Sequence, residues 1–136
     1  MVKLIVGVVG TGKTKTLIDM VNTASEQSKG SVICIEQGNK LNFDITYKAR
    51  LIDTKAFSIE DAQALYGFVA GIAASDHDIT NIYIDSALKI CANDVDAFAR
   101  FVEEIKKLAE DYHFDCVMTV SGAPETMPKS LSAYIG

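Results

Sequence analysis

Cysteine is scarce in this chain, and what there is does not pair. Cys34, Cys91 and Cys116 are three in number, form no CxxC pair, and lie far in sequence from the two histidines, His77 and His113. Neither a structural zinc site nor a disulfide framework fits that spacing. Each sits in or beside an apolar stretch, so each is expected as a small buried hydrophobe in a reducing compartment. Positive charge is also in deficit: 13 lysines and arginines face 18 aspartates and glutamates, a formal charge of −5. A protein built to bind a phosphate backbone needs a dense basic face, so nucleic acid is disfavoured as a partner, although a local basic pocket is not. No segment approaches the roughly 18 apolar residues of a membrane span. The opening run Met1–Val9 is apolar but short, and it passes into Gly10–Thr14 without a small-residue cleavage site. It is therefore not read as a signal peptide, and the expected location is cytoplasmic. With 49% hydrophobic and 23% charged residues, intrinsic disorder, collagen-like repeats and coiled coil are excluded as well.

The 136 residues suffice for one domain, 1–136, with a core that needs no staples. Apolar periodicity switches several times between 2 and 3.6, the mark of alternating strands and helices. Lys3–Val6, Ser31–Ile35, Asn81–Asp85 and Cys116–Val120 read as buried strands. Between the first two, Leu17, Ile18, Val21 and Ala24 share one face of a helix from Lys13 to Ser28, and Gly30 is placed for a left-handed cap. Residues 41–51 alternate strictly, which predicts extended chain with one wet face, as an edge strand or as two short strands with a bend. Ser58 is the expected cap of a helix running to Ser75 that is apolar nearly all round. Such a helix is either covered on both sides or forms an interface, so a homo-oligomer or a protein partner stays open. Its Gly67 and Gly71 form a GxxxG pattern, read as close packing against a neighbouring element. Asn93 or Asp94 should cap a last amphipathic helix with Phe98, Phe101, Val102, Ile105, Leu108 and Tyr112 inward and a Glu103–Lys107 pair outward. The tail from Ser121 holds both prolines, Pro124 and Pro128, and is expected as a loop with a short terminal helix or strand. Strands without polar alternation, separated by helices, predict a parallel sheet covered on both faces, a three-layer α/β/α sandwich.

The chemistry concentrates at Gly7-Val8-Val9-Gly10-Thr11-Gly12-Lys13-Thr14, a full match to GxxxxGK[ST] between a buried strand and an amphipathic helix. Glycines at 7, 10 and 12 let the backbone turn its N–H groups inward as an anion nest. The helix that follows points its positive dipole end at the same place, with Lys15 in its first turn. Lys13 is suited to neutralise β- and γ-phosphates, and the Thr14 hydroxyl to bind Mg²⁺. Asp85, at the carboxyl end of an apolar strand, has the setting of the acid that holds the metal through its water shell.

On these residues the chain resembles the P-loop NTPase superfamily, and the form of the loop is like those of the AAA+ and RecA/KaiC-like groups. The order of elements extends the resemblance over nearly the whole chain; the motifs cover only 7–14, 82–85 and, more weakly, 31–36. Asp85 is followed by Ser86-Ala87-Leu88 rather than a DxxG pattern, and Asn39-Lys40-Leu41-Asn42 lacks the aspartate of NKxD. A GTPase is therefore disfavoured, and ATP is expected over GTP. Small-molecule kinases clamp phosphates with several arginines; here only Arg50 and Arg100 occur, both expected on wet faces. There is no helical domain of AAA+ type and no acid directly after Asp85. The resemblance is therefore taken to the RecA-like group, although the chain departs from it in size and lacks the DNA-binding loops and oligomerisation elements of RecA. The resemblance then implies Glu36, ending the second strand, as general base and Ser121, or Thr119 just inside it, as polar sensor. It implies as well that the last long strand lies between the first strand and that of Asp85. The chain is similar in size to small stand-alone bacterial P-loop proteins without a settled role. The expectation is an ATP–Mg²⁺ protein hydrolysing slowly, with a non-hydrolysing nucleotide switch or partner subunit and a small-molecule phosphotransferase as alternatives.

Overall fold

A computed structural model describes residues 1–136. Five strands, β1 (Val2–Gly7), β2 (Ser31–Glu36), β3 (Arg50–Asp53), β4 (Ile79–Ile84) and β5 (Asp115–Ser121), form one sheet in the order β1-β5-β4-β2-β3. Every pair is parallel. β5 thus lies between β1 and β4, the place expected from the resemblance. The helices are α1 (Lys13–Gln27), α2 (Ala62–Ser75), a single turn α3 (Ala87–Ile90) and α4 (Val95–Tyr112). None is long and apolar enough to cross a membrane.

Successive strand residues point to opposite faces, and both faces are apolar here. Val32, Cys34, Tyr83 and Val117 pack under Leu17 and Val21 of α1. Their neighbours Ile33, Ile35, Ile82, Ile84, Cys116 and Met118 join a larger core with α2, α3 and α4 on the other side. Phe98 and Phe101 of α4 are fully buried there. Helices on both faces and a parallel sheet between them make three layers. All three cysteines are buried, and burial pushes each thiol up to about 12.

Several local expectations are corrected. Residues 41–49 form turns rather than a strand; only Arg50–Asp53 pairs, along β2. Leu41 and Ala49 face the α1 core with Ile45 against them, whereas Phe43 and Tyr47 are exposed. The inward residues recur every four positions, a spacing that strict alternation also contains. Ser58 adopts a left-handed conformation (φ 55°) after a 3₁₀ turn, and α2 starts at Ala62, with the Asp61 carboxylate accepting from the Ala64 amide at 2.8 Å. Gly67 and Gly71 are exposed and touch no neighbour, so the close-packing reading fails. Gly30 is not left-handed. The Asp78 carbonyl crowds the place of its missing side chain, and that same carbonyl accepts from Ser31 N at 2.8 Å. Asp94, not Asn93, caps α4. Glu103 accepts from the Tyr134 hydroxyl at 2.9 Å and has no ion pair with Lys107; Tyr112 is 38% exposed and stacks on His77.

Candidate functional site

The GxxxxGKT segment joins β1 to α1. Gly10 (φ 89°) and Gly12 (φ 80°) occupy the left-handed region that side chains other than glycine resist. Gly7 serves another need: a Cβ there would stand 2.7 Å from Thr11 Oγ1. The Thr11 hydroxyl donates to Val8 O at 2.8 Å, and Lys13 Nζ to the same carbonyl at 3.0 Å. This folds the ammonium over the loop. α1 has neither a side-chain N-cap nor an acid in its first turn, whereas α2 and α4 are each capped by an aspartate. Its leading amides and dipole are thus left available to an external anion.

Asp85 leaves β4 still paired, its amide donating to Ile35 O at 2.8 Å. Asp85 Oδ1 accepts from Thr14 Oγ1 at 3.2 Å and from Thr119 Oγ1 at 2.6 Å. Thr119, 2% exposed, in turn accepts from Ser86 N at 2.7 Å. The ends of two strands, β4 and β5, and the start of α1 therefore converge on one carboxylate. Ser86 is left-handed (φ 57°), which turns the chain sharply at the sheet edge. Beside this network lies a cavity of about 250 Å³ lined by Val9, Gly10, Gly12, Lys13, Thr14, Lys15, Ser86, Thr119 and Ser121. Gly7 and Ser121 are paired in register, and Gly122 N donates to Gly7 O at 3.0 Å, so the end of β5 is fixed to the start of the loop.

Glu36 is placed differently. It is 3% exposed, and its two carboxylate oxygens each stand 3.3 Å from the Leu41 amide. Burial raises its pKa, the amides of Leu41 and Lys40 oppose the rise, and the charges of Asp53 and Asp85 add to it. Glu36 lines neither the cavity beside the glycine-rich turn nor the one adjoining it. Arg50 and Arg100 are both exposed, as expected, and neither lines these cavities. The structure thus brings together Val9, Gly10, Gly12, Lys13, Thr14, Lys15, Asp85 and Ser121, keeps Gly7, Val8 and Thr11 as loop supports, and holds the Glu36 carboxylate against the Leu41 amide.

Sequence reasoning missed Ser86, whose signal was only its place directly after Asp85. It also missed Lys40 and Lys89, which line an adjoining cavity of about 400 Å³. No family model matches the chain, and no curated protein is significantly similar to it.

Proposed function

We propose that the chain is an ATP–Mg²⁺-binding P-loop protein of RecA-like type that hydrolyses ATP slowly. The observation that carries this is the meeting of Thr14 and Asp85, 71 positions apart, at 3.2 Å beside the uncapped start of α1. A lone glycine-rich turn before a helix needs no such partner. In this reading the amides of residues 10–14 hold the phosphates, and Lys13 swings from Val8 O to neutralise them. Thr14 and Asp85 offer a hydroxyl and a carboxylate, an all-oxygen donor pair that fits Mg²⁺, which leaves most of its shell to phosphate and water. Bound there, the ion supplies charge neutralisation along the phosphates. Thr119 keeps the Asp85 carboxylate aimed at Thr14. The chain shows no DxxG or NKxD signature, hence ATP rather than GTP. P-loop sites without an arginine finger turn over at about 10⁻⁴ per second, and no arginine lines this one, so turnover by the single chain is expected on that order.

A second reading, a nucleotide-dependent switch that does not hydrolyse, is favoured by the seat of Glu36. A carboxylate held against the Leu41 amide is not poised to orient water. Calorimetry with MgATP, on the wild type and on Lys13→Ala, tests both readings: binding should be lost in the variant. Single-turnover decay then separates them. Glu36→Gln should abolish hydrolysis in an ATPase. Equal decay in wild type and variant, with ATP still bound, leaves the switch. No heat from the wild type at millimolar nucleotide ends both.

A further inference from the structure

The cavity of about 400 Å³ that adjoins the phosphate loop shares Val9, Ser86 and Ser121 with it and adds Lys40, Leu88, Lys89 and Asn93. The shared wall includes the turn after Asp85, so the two cavities meet on the side of the metal-binding pair. Together they are lined by Lys13, Lys15, Lys40 and Lys89, and the one carboxylate bonded to their walls, that of Asp85, is engaged by the hydroxyls of Thr14 and Thr119. The three other cavities described each include at least one aspartate or glutamate. Four lining cations beside that single carboxylate, in a chain of charge −5, are a local reversal of the molecule's own field. The chain forms two ion pairs, Met1 with Asp115 and Lys48 with Glu26; Lys40 and Lys89 take part in neither.

Both lysines stand on pinned backbone. The loop carrying Lys40 is tied at one end by the Leu41 amide on Glu36 and at the other by the Gly38 amide, 2.7 Å from Asp53 Oδ1. Lys89 is the one exposed residue of α3, whose Ala87, Leu88 and Ile90 are buried. Left-handed residues Ser86, Ala92 and Asn93 bracket that turn. A volume of about 400 Å³ falls within the range of small-molecule sites.

We propose that this second cavity binds a small oxyanion, a molecule bearing phosphate or carboxylate groups, between Lys40 and Lys89 and beside the terminal phosphate of a bound nucleotide. The lysines supply charge, and Asn93, Ser86 and Ser121 supply hydrogen bonds. Only the adjacency to nucleotide rests on the phosphate-loop reading; the site itself does not. Of the functions considered, a second ligand here fits a switch that reads a metabolite together with ATP, and it leaves room for an acceptor of phosphate.

The test uses the full ¹⁵N-labelled chain saturated with a non-hydrolysable ATP analogue and magnesium. It is titrated at constant ionic strength with inorganic phosphate and, separately, with citrate. Saturable amide shifts confined to 38–41 and 86–93 are expected with at least one titrant, and the responding titrant identifies the phosphate or the carboxylate class. In Lys40→Ala/Lys89→Ala the Kd should rise at least tenfold while the analogue binds as in wild type. The proposal is overturned if neither titrant saturates, if shifts track exposed lysines elsewhere such as Lys55 and Lys106, if the double variant keeps its affinity, or if the titrant merely displaces the analogue. Failure of the wild type to bind the analogue sinks the phosphate-loop reading instead. The same titrations on nucleotide-free chain then still decide the oxyanion site.

Discussion

Replacing Thr119 by valine removes one hydroxyl and keeps the shape of the side chain. That hydroxyl donates to Asp85 Oδ1 at 2.6 Å and accepts from Ser86 N at 2.7 Å. The first bond is to a charged group and is worth about 1.5–3 kcal/mol. Losing the second strands a half-buried amide, at about 1 kcal/mol. The sum, roughly 2.5–4 kcal/mol, should appear as a lower midpoint in urea with an unchanged slope. For 136 residues the entropy of unfolding is about 0.29 kcal/mol per kelvin, so Tm should fall by roughly 9–14 °C. Thr119→Ser keeps both bonds and loses one methyl, at about 1 kcal/mol. A valine variant within 1 kcal/mol of wild type, or a serine variant as unstable as the valine one, would refute the account of Thr119 as the clamp on Asp85. The same pair of variants carries a functional reading. If Thr119 aims Asp85 at the metal, Thr119→Val should weaken ATP binding in magnesium and leave it unchanged in chelator.

Glycine-to-alanine changes should have opposite signs at different positions. Gly30→Ala forces a Cβ into the Asp78 carbonyl and within 2.6 Å of Thr80 Cγ2, and should cost about 1–3 kcal/mol or more in a melting experiment. Gly67→Ala and Gly71→Ala, in open helical positions, should each add about 0.5–1 kcal/mol. Glu36→Gln should stabilise the fold in a pH-dependent manner. Burial raises the folded-state pKa of Glu36, so its penalty is absent below the ordinary carboxyl range near 4.3, develops as pH rises through the folded value, and is complete above it. The advantage of the glutamine variant in urea melts should therefore be smallest near pH 4 and grow toward neutrality; an advantage that shrinks on that path contradicts it. With thiols pushed up to about 12, Cys34, Cys91 and Cys116 should resist a disulfide reagent at pH 8 until the chain is unfolded.

The glycine-rich turn was legible because its signal is local: eight consecutive residues carry the turns, the lysine and the hydroxyl. The place of Asp85 was legible as the end of a buried strand at the carboxyl edge of the sheet, where Thr14 meets it. Glu36 shows where that logic stops. Its strand end was located, but the direction of its carboxylate is set by the turn at 37–41, which folds back to offer the Leu41 amide. Residues 41–51 misled because Leu41, Ile45 and Ala49 satisfy a period of two as well as the four-residue recurrence of the turns actually formed. Gly30 was assigned to the right class of residue for the wrong cause, since a close approach from Asp78, 48 positions on, leaves no local mark. Lys40 and Lys89 had no signal at all. Only the adjacency of β2 and β4 in the sheet carries their two loops to one cavity.

β1 is bonded along one flank only. Beyond its pairing with β5, a single contact near Leu4, where Gly136 N donates to Leu4 O at 3.2 Å and Ile135 forms a bridge, closes the other side. The loop therefore hangs from a strand with one firm neighbour, and that neighbour runs directly into the stretch from Gly122 to the carboxyl terminus. The chain beyond β5 thus returns to brace the strand that leads into the glycine-rich turn, and loss of the Gly136–Leu4 contact should show first as faster amide exchange along β1.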